Sequence, residues 1–592
     1  MPTDSRTTHR AFGGLLKNLW IHAPLLLSGV AGSALAFWRF GPVVFSPENI
    51  SWFRGDSTWH FLNWNFFRNE PWHFPPGRIE HLLAPLGTSI GGGDALPLLA
   101  FPLKLLNAFL PTDFQYLGFW LFTNYTLQGV FGYLLVRTFC RRRWPSLLAG
   151  LLFLFSPVMI FRAGHIALSS HWLLLLALWH YFRASNQLER RSYTLLWLLI
   201  VGLVGLTHPY LVAMAFPIAF LSVVRESLRG KLGAGYAAGL TFGLLALLGL
   251  EWWVSGIFGL GRGGGFEFYT LNPNALINPL DHSRFLPELP IRAGQYEGFA
   301  YLGLGVLTLS VLPLRLLIRH PLQSPRQFRR ALLRRGQLPL LLLCVGFSLF
   351  SLGNTYVFIL EVAAFFLLLV CYFVRNPPQF LTAALVRAGL PERVGLPLFS
   401  LGLGLVVFAA IPLVTGTFRA PGRFIWPVYY LFYLSLIVFL FRRFSARVAT
   451  VLLLVGLTVQ VVDLDINRPF QPRPTLFTRS LKSKRWADVI KPFTTLAVVP
   501  PFELSVGGKG DAVDFAFLAS EYGKKVSTGT LVRLPDNLER VTRRLTEQAL
   551  SGPRDAGTLY VFSAATFTGV YEPRLKPGLR CSKIDAYIVC HE

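Results

Sequence analysis

The run LWIHAPLLLSGVAGSALAFWRF, residues 19–40, decides the class of fold. Its length suits a hydrocarbon core of about 30 Å, which about 17–25 helical residues cross, and Arg39 and His22 are its only basic residues. A polar, basic stretch (1–18) precedes it. No small-residue cleavage site followed by a soluble domain comes after, so the run reads as a retained first span. Lipid offers the backbone no hydrogen-bond partners, so such a run satisfies its own peptide groups as an α-helix. Comparable apolar runs recur along the 592 residues, 53% of which are hydrophobic and only 15% charged. A soluble chain carries about a quarter charged residues. The expected fold is an all-α polytopic membrane bundle of about thirteen transmembrane helices.

A net charge of +26 raises the question of nucleic acid, but the basic residues sit in short loops between apolar runs. They form clusters such as Arg141/Arg142/Arg143, Arg225/Arg229/Lys231 and Arg442/Arg443/Arg447, in every second loop. That is how topology signals are distributed, and the expected partner is the lipid bilayer, with no nucleic acid. The positive-inside rule makes these loops and the N-terminus cytoplasmic. The alternate loops, with large ones at 41–114 and 254–298, then face the other side with the C-terminal tail. The Arg-over-Lys bias and high Ala, Leu and Gly suggest a GC-rich bacterial genome, and the expected location is the inner (plasma) membrane. Segment 337–374 is expected to be a tight hairpin, since both its flanks are basic. Segment 94–110, broken by Pro97 and Pro102 and carrying Lys104, is expected to lie in the outer interface.

Residues 19–463 thus form the membrane domain and 464–592 a small periplasmic α/β domain. Short apolar strands are expected at 496–499, 559–562 and 586–589. A helix is expected at 535–551, with Leu538, Val541, Leu545 and Ala549 on one face and Gly552 to end it. Cys581 and Cys590 bracket a strand on the oxidising side of the membrane, where a disulfide between them is expected.

Candidate chemistry gathers in the outward loops. The first reads Gly55-Asp56-Ser57-Thr58-Trp59-His60 and later Gly91-Gly92-Gly93-Asp94. Asp56 and His60, four residues apart, share a face if the stretch is helical. Trp59 offers a stacking surface suited to a sugar ring, and the glycine run lets backbone approach a ligand. Asp56 and Asp94 are candidates for a divalent metal, Mg or Mn, or for a general base. His165, His171 and His208 fall in the next outward turns, with Tyr296 and Glu297 at the mouth of a later span. Glu361 lies within an apolar run, where a carboxylate is costly and implies a partner or a function.

These motifs, with Gly164-His165, Ser170-His171-Trp172, Gln295-Tyr296-Glu297-Gly298 and Arg423-Phe424 through Trp426-Pro427, resemble the GT-C glycosyltransferases. More narrowly, they resemble a bacterial subgroup whose first loop carries Gly-Asp-Ser/Thr-x-x-His. The resemblance implies a polyprenyl-phosphate-linked sugar donor, an outward active site and inversion at the anomeric carbon. Asp56 matches the position of the general base. Arg419 and Arg423 would bind the lipid phosphate, and His60, Trp59, Asp94, His165, His171, His208, Tyr296, Glu297 and Glu361 would line the substrate site. The acceptor would be a glycan, a lipid or a protein of the envelope. Many members carry an adjacent acidic pair, whereas Ser57 follows Asp56 here, which weakens the case for a metal. A lipid or glycan flippase (a transporter) would place its polar groups near the bilayer midplane on broken, repeated helices. A non-catalytic envelope-assembly protein is the third class.

Overall fold

Leu-, Val- and Phe-rich runs of this chain become helices because an apolar surrounding offers their peptide groups no other partner, so each bonds within its own turn. The computed structural model describes residues 5–53, 55–187, 189–258, 261, 265–319, 338–353, 416–464, 481–502, 511–529 and 537–592. Glu361 and most of the 337–374 hairpin lie outside the described residues.

The membrane portion opens with α1 (Ser5–Phe45), where Gly41 at φ 71° followed by Pro42 marks a kink. Helix α2 (Asp56–Asn69) follows, then a two-stranded hairpin of β1 (Arg78–Ile79) and β2 (Thr88–Ser89), then α3 (Pro97–Leu105). Next come α4 (Leu117–Arg137), α5 (Arg143–Leu154), α6 (Pro157–Phe161), α7 (Trp172–Gln187) and α8 (Arg190–Gly205). They are followed by α9 (Pro209–Leu228), α10 (Ala234–Val254), α11 (Leu304–Arg319) and α12 (Leu338–Ser351). Helices α13 (Trp426–Arg443) and α14 (Ala446–Asp463) complete the described bundle.

Among the described residues five helices are long and apolar enough to cross a membrane: His22–Phe45, Pro209–Leu228, Ala234–Val254, Pro421–Arg443 and Ala446–Asp463. Arg143–Leu154 with Pro157–Gly164, bent by 41°, makes a sixth if the pair is one broken span. The count of thirteen is therefore corrected. Helices α7 and α8 have only 16 residues each. Helix α4 is long enough but threads Asn124, Tyr125 and Gln128 through the bundle interior. Where spans do qualify, their outer faces are apolar: Val30, Phe37 and Trp38 on α1 and Phe242, Leu245 and Leu250 on α10 are exposed. Large contiguous apolar surface of this kind belongs against lipid, not water. The architecture is that of a helical membrane protein with a small C-terminal sheet domain.

In segment 94–110, Pro97 starts α3, which runs through Pro102 to Leu105 and gives way after Leu106 to a 3-10 turn at Asn107–Phe109, with Leu105 and Phe109 exposed. Lys104 does not reach water there. Its ammonium sits 4.1 Å from the Phe67 ring centroid and 4.4 Å from that of Trp72, a cation–π arrangement that compensates lost hydration.

The C-terminal domain contains α15 (Arg485–Ile490), β3 (Thr495–Val499), α16 (Asp511–Glu521), β4 (Lys525–Val526) and α17 (Leu538–Ser551). It ends with β5 (Thr558–Ser563), β6 (Arg580–Ile584) and β7 (Tyr587–His591). The sheet order is β4-β3-β5-β7-β6, with β3 parallel to β4 and β5, and β7 antiparallel to β5 and β6. The three expected strands and the helix at 535–551 correspond to β3, β5, β7 and α17, and Gly552 at φ 74° ends that helix. Cys581 and Cys590 stand opposite each other in the β6–β7 register and are joined as a disulfide.

Candidate functional site

The candidate side chains that come together are delivered by α2 and by helix ends and loops at one end of the bundle. Asp56 occupies the first turn of α2, where the helix dipole favours a carboxylate. The turn into α2 passes through Gly55 at φ 51°, a backbone region that a side chain would strain. His165 lies in the turn after the bent α5–α6 pair, and its Nδ1 is 3.1 Å from Asp56 Oδ2. The Asp56 side chain is 55% exposed and that of His165 30%, so the pair forms the accessible lip of the site.

Beneath the lip lies a charge cluster with almost no access to water. Arg162 Nη1 donates to Glu297 Oε2 at 2.6 Å, and Arg162 Nη2 donates to the Glu297 carbonyl at 2.7 Å. Arg423 Nε donates to the same Oε2 at 3.0 Å. Arg162 and Glu297 side chains are 1% and 4% exposed. Burial alone would raise the Glu297 pKa, but the two guanidiniums outweigh it and hold it well below the usual carboxylate range. His165 Nε2 is 4.0 Å from Glu297 Oε1, so the imidazole bridges the exposed and the buried carboxylate. Burial and the nearby Arg423 pull the His165 pKa down to about 4, against the pull of Asp56. The ring is therefore neutral near pH 7. Its Nδ1 faces Asp56 and its Nε2 faces Glu297.

A second acid–histidine pair adjoins the first. His208 caps α9: its Nδ1 accepts from the Tyr210 N–H at 3.1 Å, which places the ring proton on Nε2, 3.4 Å from Asp94 Oδ1. Burial works against the Asp94 carboxylate, yet His208, with His60 and His165 behind it, keeps its pKa below the usual range. His60, on the same face of α2 as Asp56, is buried. That burial lowers its pKa against the pull of Asp94 and Asp56.

Close backbone approaches hold these loops in place. A Cβ on Gly93 would fall 2.2 Å from the Asn63 amide of α2, so Gly93 packs against this helix, and one on Gly91 would fall 2.6 Å from Ile257 after α10. The close neighbour that Gly93 admits is therefore protein. Likewise, a Cβ on Gly422 would fall 2.7 Å from the Gly298 Cα, and the Gly422 N–H donates to the Tyr269 carbonyl at 3.1 Å. This contact brings the Glu297 turn onto the Arg423 turn.

The structure thus gathers Asp56, His60, Asp94, His165, His208, Glu297 and Arg423. Arg419 stands off with its guanidinium 4.7 Å over the Tyr269 ring, which meets Tyr296 edge-on at 6.2 Å. Trp59 is half-buried on α2. His171 is a correction: it is wholly buried, its Nδ1 2.7 Å from the Tyr430 hydroxyl and its ring against Trp426, so it serves the bundle core and not the site. Arg162 was missed. An arginine in an outward turn runs against the positive-inside rule, and at the end of an apolar helix it calls for an acidic partner. Asp56 and Asp94, the two metal candidates, each face a different histidine. Among the described residues no three His, Cys, Asp or Glu side chains converge as metal ligands.

The model of a family described as a domain of unknown function, DUF6311, matches residues 29–369 and 401–465. The model of its C-terminal domain matches residues 485–592. The chain belongs to the DUF6311 family. No curated protein matches it. Every residue of the DUF6311 site just described lies within 29–369 or 401–465, whereas the sheet domain corresponds to the separate C-terminal match.

Proposed function

We propose that this DUF6311 protein is a membrane glycosyltransferase of the inverting type. It would take a sugar from a polyprenyl-phosphate-linked donor and place it on an envelope acceptor. The observation that carries the reading is the Asp56–His165 pair at the accessible lip, directly above two buried arginines that share one glutamate. In this reading the Asp56 carboxylate takes the proton of the acceptor hydroxyl as its oxygen bonds to the anomeric carbon. The bond from that carbon to the donor phosphate oxygen breaks, and the leaving lipid phosphate carries away the electron pair. Arg423 and Arg419 supply positive charge for it, because a guanidinium fork can bond two phosphate oxygens. His165, with Nδ1 3.1 Å from Asp56 Oδ2, keeps that carboxylate aimed. No step is assigned to a metal.

The same reading places the site on the periplasmic face of a bacterial inner membrane, with the N-terminus cytoplasmic and the C-terminal domain periplasmic. The Cys581–Cys590 disulfide supports that side. A site at helix ends, away from mid-helix positions, favours an interfacial enzyme over a flippase.

Reconstituted protein supplied with a panel of polyprenyl-phosphate sugars and envelope acceptors tests the proposal. Asp56→Asn should lower transfer by about a hundredfold or more. A wild type that consumes no donor, or an Asp56→Asn variant as active as wild type, overturns it.

A further inference from the structure

We infer that the C-terminal domain positions α2, and that Phe517 and Ser520 act as positioning residues for Asp56. The catalytic consequence rests on the reading above; the mechanical claim does not.

Helix α2 has 14 residues and no side-chain cap at its N-terminus. A helix this short is marginal on its own, so its place is set by what packs against it. Asp56, His60 and Asn63, at spacings of four and three, make the face turned to the site loops. Phe61 and Asn65, four apart, belong to another face, and both meet α16 of the C-terminal domain. The Phe61 and Phe517 rings stack with centroids 5.9 Å apart. The Asn65 amide Nδ2 donates to the Ser520 hydroxyl at 2.7 Å. Phe53, just before α2, stacks on Phe61 at 5.1 Å and extends the contact toward Asp56.

The segment after α2 is held by the same domain. Leu82 forms a parallel bridge with Val526 of β4. The Val526 N–H donates to the His81 carbonyl at 2.7 Å, and the Ala84 N–H donates to the Val526 carbonyl at 2.8 Å. The loop thus adds a short strand to the β4 edge, where main-chain hydrogen bonds supply the attachment. Glu70, at the end of α2, ties the helix to that strand. Its buried carboxylate accepts from the N–H groups of Glu80 at 2.8 Å and His81 at 3.0 Å. Phe515, two residues before Phe517, instead packs on Trp486 and Tyr587 within the domain. Phe517 is the ring of α16 that meets α2 directly.

Full-length Phe517→Ala and Ser520→Ala test this by hydrogen exchange of the α2 amides and by transfer kinetics. Exchange in α2 should quicken about tenfold for the first, from the lost aromatic pair, and about fivefold for the second, from the lost hydrogen bond. Exchange in α4, α9 and β5 should stay unchanged. Transfer should lose kcat at constant KM, and Phe517→Leu and Ser520→Thr should restore it. Ser520→Ala removes only a hydroxyl and guards against misfolding of the larger truncation. Unchanged α2 exchange in both alanine variants overturns the inference. Faster exchange in a protein that transfers no sugar upholds the docking and refutes the glycosyltransferase reading alone.

Discussion

Glu297→Gln isolates the energetics of the buried cluster. In the native protein one carboxylate serves two guanidiniums, at 2.6 Å and 3.0 Å. Solvent screening is negligible with Arg162 1% and Glu297 4% exposed. The amide keeps the shape of the carboxylate but removes its charge, leaving Arg162 and Arg423 buried as uncompensated cations. Breaking a buried pair in this way costs about 3–5 kcal/mol, while removing charge on both sides costs much less. Denaturant unfolding in detergent micelles should therefore show a loss of about 3–5 kcal/mol for Glu297→Gln, and part of it should return in the Glu297→Gln/Arg162→Gln double variant. The pH dependence carries a second signature. The native Glu297 pKa is depressed below 4.5, so its contribution is complete above that value and is lost as pH falls from there through the lower folded-state value. Glu297→Gln should lack this acid-labile component. A loss below about 0.5 kcal/mol, within the range of neutral surface changes, or a double variant as unstable as the sum of its singles, refutes the reasoning.

Three further outcomes follow from the geometry. The His165 pKa is about 4 in the folded chain against 6.5 for a free side chain. The unfolded chain takes up the proton first, so stability from this group is full above about pH 6.5 and falls as pH drops toward 4. His165→Gln should remove that segment from the pH–stability profile. Gly93→Ala should destabilise by about 1–3 kcal/mol and loosen Asp94, because the new methyl meets the Asn63 amide at 2.2 Å; near-native melting would contradict the close approach. Serine at both Cys581 and Cys590, nine apart in sequence, should cost about 2–3 kcal/mol. The loss should appear in the C-terminal domain's unfolding and leave the bundle helices protected.

What was legible beforehand is what local pattern encodes. The apolar runs announced the long helices, and the i, i+3, i+7 spacing from Leu538 announced α17. The loop charges put Asp56, Asp94, His165, His208, Glu297 and Arg423 at one end of the bundle, where the structure brings them together. Pairings at long separation were not legible. Nothing local joins Arg162 to Glu297, 135 residues away, or says that Gly93 makes room for Asn63. His171 shows the converse: a histidine beside His165 in sequence turns inward, because the start of α7 points its side chain at Tyr430. The span count failed for a related reason. Bundle helices that pack on one another need not be long or apolar all round, so hydropathy registers them unevenly.

The bridge from Leu82 to Val526 and the bond from Asn65 to Ser520, 455 residues apart, also bear on biosynthesis. A ribosome delivers α2 long before it delivers α16 and β4, so throughout most of translation the Phe61 face and the 81–84 strand have no partner. Unsatisfied strand edges and bare aromatic faces on a nascent chain invite wrong pairings. The first loop therefore matures only after the whole bundle has been made, and a protein stopped short of β4 carries its acid–histidine pairs on an unfinished frame.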